Sequence, residues 1–276
     1  MSSSCGEEVL FSIDTLSKII SYLPSVEVLN LTLTCKKFGV SNTNDDSIIE
    51  ESTSIAIQEL ASEEQLAALP HYDGENKLAD YHYLQLMREP LTFDHLTDGI
   101  EYVNEEDKSC VYSGDSRTTA FSNNILRAGK HYVLFTPDKR RAHTNLRMGI
   151  MRPGQANQNA SGTPVDKEFF QNISLTHVEH YNNNIDFCLY SAKGGCCYTC
   201  AWEDSSPIAK TWDGFERASP YDEIGMLLNL DEGTLSVYKN GRKLGVMKKG
   251  LEGPYCWAVS TLGGAQVSIK RGAVPS

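Results

Sequence analysis

The chain has no long hydrophobic run. No apolar stretch approaches the ~18 residues of a membrane-spanning helix. It also lacks a basic excess: 25 Lys and Arg stand against 36 Asp and Glu, for a net charge of −11. A general nucleic-acid binder needs a basic face to displace counterions. Anionic membrane likewise attracts basic segments. Neither nucleic acid nor membrane is therefore an expected partner. The first eight residues lack the basic start and apolar stretch of a signal peptide. The chain reads as intracellular, cytoplasmic or nuclear, and its eight cysteines then read as thiols.

Catalytic signatures are scarce as well. There is no Gly-x-Ser-x-Gly elbow, and Gly263-Gly264 belongs to no phosphate loop. The acid pairs Glu105/Glu106 and Asp222/Glu223 fall in loops or at strand ends, where solvated carboxylates are the rule. Cys197-x-x-Cys200 has ligand spacing, but a structural zinc takes four ligands. No second Cys pair follows, and His177 and His180 lie well upstream. Strand alternation through Cys197, Tyr198, Thr199 and Cys200 is the simpler account. No enzyme activity, metal or cofactor is expected.

Enough apolar mass for a packed core is present: 40% of 276 residues. That length fits one large domain or two modest ones. Charge divides the chain. Residues 1–97 carry 16 acids and 5 bases, whereas residues 98–276 carry 20 of each. The whole net charge sits on the first third, which suggests a boundary near residue 97.

The first third reads as helices. Ile13, Leu16, Ile19, Ile20 and Leu23 recur at spacings of three and four, one apolar face of a short helix. Ser12 is its expected N-cap and Pro24 its end. A second helix spans about 25–33, with Leu29, Leu31 and Leu33. Helical patterning resumes over 48–60 and 76–88, the latter ended by Pro90. Ser62 followed by Gln65 fits a capping box.

Residues 11–38 resemble an F-box, the adaptor-binding motif of ubiquitin-ligase substrate receptors. The resemblance rests on Asp14, on Ile19-Ile20-Ser21-Tyr22-Leu23-Pro24, on Glu27-Val28-Leu29 and Leu31, and on Cys35-Lys36-Lys37-Phe38. The family's opening Leu-Pro is replaced by Phe11-Ser12. The resemblance implies docking on a Skp-type adaptor through Phe11, Leu16, Ile19, Ile20, Leu23, Pro24 and Leu29. The other reading packs that face against residues 48–90. The expected segments are an F-box-like motif at 8–42 and a helical extension at 43–97.

From residue 110 the period changes to that of strands. Segments 131–136, 187–190 and 197–202 are β-branched and aromatic, and 224–230 is a continuous apolar run. Segments 234–238, 244–247, 255–260 and 266–269 follow, separated by turns. Asn240-Gly241 is the strongest short hairpin signal, because both central positions of a type I′ turn need positive φ. Many short strands with Gly-rich turns indicate an antiparallel sandwich or barrel. Lys239, Lys243, Lys248 and Lys249 gather near the hairpin. Lysines beside edge strands serve to block sheet-to-sheet pairing.

Residues 98–272 resemble a SPRY domain. The resemblance is carried by Asp231 through Val246, then Leu251, Gly253, Tyr255 and Ala258-Val259-Ser260, with Gly129-Lys130-His131-Tyr132 earlier. It is nearest to the SPRY domains of SOCS-box proteins. It implies an α+β chain: an N-terminal helical F-box-like segment followed by an antiparallel β-sandwich of the SPRY, concanavalin-like kind. It also implies ligand recognition on loops at one end of the sheets. By position these are Asp138 and Lys139 with Arg140, Arg141, His143 and Asn145; the 262–264 turn of Leu262, Gly263 and Gly264; and the stretch from Tyr112 to Arg117. A guanidinium fork suits carboxylates or peptide carbonyls, so the expected ligand is a protein or peptide with an acidic or polar turn.

Two functions are consistent with these readings. One is the substrate-recognition subunit of a cullin-type ubiquitin ligase, with a Skp-type adaptor on the helices and a target protein on the loops. The other is a protein-interaction scaffold with no ligase link.

Overall fold

Apolar residues at three- and four-residue spacing place α1 at Ile13–Tyr22 and α2 at Ser25–Thr34. Next come α3 (Ile48–Leu60), α4 (Glu63–Ala68) and α5 (Lys77–Arg88). The computed structural model describes residues 12–34, 48–69, 77–114, 118–122, 124–138, 146–152, 185–201, 208–261, 263–273 and 275. The Cys35–Phe38 signature lies outside the described residues.

The helices share one core. Ile20, Val28, Ile49, Ala56, Ile57, Leu69, Tyr81 and Leu84 pack together, with Leu23 at its margin. The 48–88 segment therefore packs on the first two helices. The junction of α1 and α2 is held by α5. The Tyr81 hydroxyl bonds the carbonyls of Ile20 and Leu23 at 2.6 and 3.0 Å. The Gln85 amide donates to Leu23 O at 2.8 Å and accepts from the Ser25 N–H at 2.7 Å. Ser25 Oγ lies 2.8 Å from His82 Nδ1. A turn interrupted by Pro24 leaves backbone groups without helical partners, and one face of α5 satisfies them. The Ser62–Gln65 capping box has both of its bonds, at 3.1 and 3.2 Å. Ser12 has the extended backbone of an N-cap, but its side chain makes no capping bond.

The chain divides into two compact units, 1–89 and 90–276. The division precedes the position suggested by charge. Leu91 and Phe93 are buried in the second unit's core, and His95 and Leu96 pair with Phe121 and Ala120. Charge reports which surface faces water, whereas apolar contacts decide where a unit begins.

The second unit is a sandwich of two antiparallel sheets. Its strands are β1 (His95–Leu96), β2 (Ile100–Asn104), β3 (Asp107–Ser113), β4 (Thr118–Phe121) and β5 (Lys130–Pro137). They continue with β6 (Arg147–Met151), β7 (Ile185–Ser191), β8 (Cys197–Ala201), β9 (Ile208–Lys210) and β10 (Ile224–Asn229). The last are β11 (Thr234–Lys239), β12 (Arg242–Lys249), β13 (Cys256–Thr261) and β14 (Gln266–Arg271). One sheet has the order β1-β4-β13-β6-β7-β8-β9, the other β12-β11-β10-β5-β14-β3-β2. Inward side chains of both sheets form one core that includes Val133, Met148, Ile150, Met226, Val237 and Val267. Phe135 meets Trp257 edge-on across the sheets, ring centroids 6.2 Å apart.

Local sequence explains the turns. Asn240 has φ 51° and Gly241 φ 79°, and Lys239 pairs with Arg242, which closes the hairpin as the Asn-Gly signal predicts. The lysine-bearing β12 is an edge strand with two register shifts against β11. Charge and bulges together discourage edge pairing. Strands β1, β2, β3, β4, β6 and β9 were not legible in the sequence. Glu101, Asp107 and Lys108 interrupt the apolar alternation of β2 and β3, and Gly149 interrupts β6.

His131 enters the sandwich at the start of β5. Its Nε2–H donates to Ala128 O at 2.6 Å, and burial holds its pKa below the ordinary imidazole value of 6.5. The unfolded chain then takes up a proton before the folded one. This contribution to stability is present above pH 6.5 and falls as pH drops toward the depressed folded value. Denaturation of the parent and His131→Gln between pH 7 and 5 should show a steeper loss in the parent. Tyr81→Phe should cost about 1–2 kcal/mol in urea unfolding, because the carbonyls of Ile20 and Leu23 each lose one of their two donors.

Candidate functional site

A sandwich must pass its chain from one sheet to the other, and four of these crossings, besides the short β1-to-β2 step at 97–99, fall at one end. Strand β3 leads to β4 through Gly114, and β5 leads toward β6 from Asp138. Strand β9 leads to β10 through residues 211–223, and β13 turns into β14 through Gly263 and Gly264. Backbone bonds tie the first, second and last together. Gly264 N–H donates to Gly114 O at 3.0 Å, Ser113 N–H to Ala265 O at 2.9 Å, and Asp138 N–H to Gln266 O at 2.9 Å. The Ser113 hydroxyl adds two bonds with the Ala265 backbone, at 3.2 and 3.3 Å. Beneath them the buried hydroxyls of Thr118 and Thr261 pair at 3.0 Å.

Gly263 and Gly264 have φ of 83° and 74°. Among the described residues a Cβ at either position would meet nothing within 4 Å. Glycine is there for the positive φ of the backbone turn.

The fourth crossing reaches the same end by register. Ile224 pairs with Phe135 and with Lys239, so the start of β10 and the 240–241 hairpin stand beside the end of β5. Arg147 pairs with Ser191 and Tyr190 with Cys197, which brings the 192–196 turn alongside. Segment 211–223 is fastened there. Trp212 Nε1–H donates to Gly195 O at 2.8 Å, and the Tyr190 hydroxyl to Glu216 O at 2.6 Å. Ala218 N–H donates to Ala192 O at 2.9 Å.

Charges complete the fastening. Glu216 binds Lys239 and Arg242, the latter at 2.6 Å, and these bonds hold its carboxyl below the ordinary carboxylate range. Burial pushes the Asp222 carboxyl up, but bonds from Ser219 and Asn240 and the nearby Lys239 outweigh it, and the net shift is downward. Asn240 bridges: its amide N–H donates to Asp222 at 2.7 Å and its carbonyl accepts from Glu223 N–H at 2.8 Å. Burial, followed by the charges of Glu216 and Asp222, raises the Tyr190 phenol well above its usual value.

Among the loop residues expected from sequence, Tyr112 lies on β3 opposite Gln266, half-buried, and Gly263 and Gly264 stand at the open end. Arg117, Arg140, Arg141, His143, Asn145 and Leu262 lie outside the described residues. The described flanks of all three expected loops converge. Sequence reasoning missed 211–223. Its signal was the three aromatics Trp212, Phe215 and Tyr221 within a stretch broken by Gly214 and Pro220.

In the helical unit, the expected adaptor residues fall on different surfaces. Leu16 and Ile20 are buried, Ile19 and Leu23 half-buried, and Pro24 and Leu29 exposed. Phe11 lies outside the described residues. Tyr22, Val26 and Leu33 are exposed by 88%, 60% and 76%, and Leu29 by 46%. Val26, Leu29 and Leu33 share one face of α2 at spacings of three and four.

Among the described residues there is no group of three or more His, Cys, Asp or Glu side chains that could hold a metal. Cys197 is buried and faces Cys188, Sγ to Sγ 3.4 Å. No described helix is long and apolar enough to cross a membrane.

No protein-family model matches the chain, and no curated protein matches it. Solved structures overlap its sandwich. The SPRY domain of human HERC1 is 14% identical, with a TM-score of 0.44, over 65% of this chain and 99% of that one. The TRIM65 PSpry domain is 13% identical, with a TM-score of 0.44, over 67% and 95%. The NEUZ (NHR) domain of Neuralized from Drosophila melanogaster is 13% identical, with a TM-score of 0.40, over 66% and 92%. The fold described here rests on the strand pairings themselves.

Asn240 is the cheapest point at which to loosen the fastening. Asn240→Ala loses both side-chain bonds and strains a positive-φ position, at an expected cost of about 1–3 kcal/mol. Asn240→Gly loses the bonds but not the backbone fit. Urea unfolding should rank parent above Gly above Ala.

Proposed function

We propose that the chain is the substrate-recognition subunit of a cullin-type ubiquitin ligase. The helical unit docks on a Skp-type adaptor, and the four-crossing end of the sandwich captures a protein target. The role is proximity rather than bond-making: tethering raises the local concentration of target lysines near a conjugating enzyme.

One observation carries the adaptor half. Val26, Leu29 and Leu33 recur at intervals of three and four on α2, and with Tyr22 they remain exposed. The core of this unit is already filled from the other side by Ile20, Val28 and α5 residues. A run of exposed apolar side chains on a helix that has already buried its other face marks an interaction surface. The F-box resemblance of residues 11–38 supplies the kind of partner. The target half is supported by loop convergence, since loops on a rigid sandwich are the usual carriers of binding.

The experiment is a pull-down of the intact chain with a purified Skp-type adaptor. The parent should be retained. Val26→Asp with Leu29→Asp should abolish retention while the melting temperature stays within a few degrees, because both positions are exposed. Absence of retention by the parent, or equal retention by the double variant, sinks the ligase reading. A protein-interaction scaffold with no ligase link would then be left.

A further inference from the structure

Segment 211–223 sorts its side chains by parity. Even positions carry the anchors: Trp212 on Gly195, Glu216 on Lys239 and Arg242, and Asp222 on Asn240. Gly214 sits so close to the Leu244 carbonyl that a Cβ would lie 2.4 Å from it. Odd positions 211, 213, 215, 217, 219 and 221 are all exposed. The anchors thus fix the backbone in advance and leave one row facing water.

That row holds Phe215 and Tyr221, exposed by 47% and 69%, with the exposed Arg217 between them. Aromatics and arginine are the residue types that dominate binding hot spots. Phe215 and Tyr221 are at most about 20 Å apart along an extended chain.

The row also carries the exposed acid Asp213, on the far side of Phe215 from Arg217; between Phe215 and Tyr221 its charge is positive. The neighbouring acids Glu216 and Asp222 are already engaged by Lys239, Arg242 and Asn240. Among the described residues no carboxylate forms an ion pair with Arg217. Lys193 is likewise exposed and without a described ion pair, and the Ala218 to Ala192 backbone bond brings its segment against that of Arg217. Two exposed cations on adjoining segments, with an aromatic on either side of Arg217 along the chain, complement a carboxylate flanked by apolar side chains.

We propose that Phe215, Arg217, Tyr221 and Lys193 form the contact surface for an acidic peptide segment of the target, one with an Asp or Glu between apolar residues. Arg217 and Lys193 take the carboxylate, and the two rings take the apolar flanks. The fixed backbone reduces the ordering cost of binding. The proposal rests on the reading of this end of the sandwich as the target-binding face and adds the chemistry of what it binds.

The test is selection of a randomised twelve-residue peptide library on the full-length chain, followed by titration with the selected peptides as fluorescent conjugates. The selected sequences should be enriched in an acidic residue with apolar residues on both sides. Arg217→Glu should weaken the best peptide by about tenfold or more, the loss of one charge-assisted contact. Phe215→Ala with Tyr221→Ala should weaken it comparably, and Arg217→Lys less. Unchanged melting temperatures would exclude unfolding as the cause. Failure to select any peptide, selection without acidic enrichment, or unchanged affinity of Arg217→Glu overturns the proposal. Adaptor retention of the same Arg217→Glu protein separates the two readings. Retention with unaltered peptide binding removes this proposal alone. Arg217-dependent peptide binding without adaptor retention removes only the ligase link.

Discussion

The sandwich depends on burying two inward faces against each other. Phe135 from one sheet and Trp257 from the other meet near the centre of that layer. Trp257 is fully buried, and its indole N–H has no partner among the described residues. Leaving a donor unpaired costs on the order of 1–3 kcal/mol. The large ring offsets that cost by filling the space between sheets, where voids lose contacts outright. Once the sheets are closed, the chain must cross between them at the ends. The crossings at 114, 138, 211–223 and 263–264 are consequences of that closure. An end where several loops meet is therefore built as a by-product of making the core.

Rigidity at that end comes from polar groups rather than apolar ones. Asn240, Asp222, Glu216 and Lys239 tie the hairpin to the last long crossing. These bonds lie partly in water, so each is worth little alone. Their value is geometric: they fix which side chains of 211–223 face outward. The helical unit uses the same division of labour. Tyr81, His82 and Gln85 hold the Leu23–Ser25 turn from one side, and α2 keeps an apolar face on the other.

Some of this was legible in the sequence. The Ser62–Gln65 box and the Asn240-Gly241 turn are local chemistry, set by a few neighbouring residues, and both appear where expected. Strands β5, β10, β11 and β13 carry apolar runs dense enough to announce themselves. Strands β2 and β3 do not, because they lie at the margin of their sheet, where water accepts Glu101 and Lys108. The charge step at residue 97 pointed to two units but misplaced their junction, since Leu91 and Phe93 commit to the sandwich while acidic Asp94 lies between them. The adaptor residues implied by the F-box resemblance lie on two surfaces. Periodicity finds the apolar positions Leu16, Ile20 and Leu29 alike, but only packing shows that the first two face the core.

By itself the sequence determined the element types, the acidic helical start, the antiparallel sandwich and the glycines that its turns require. Those features depend on residues close along the chain. Tertiary structure decided which loops share an end, that α5 grips the first helix turn, and that alternate residues of 211–223 are anchored or free. Each of these joins positions far apart in sequence through sheet register and side-chain reach. No local pattern encodes such distances.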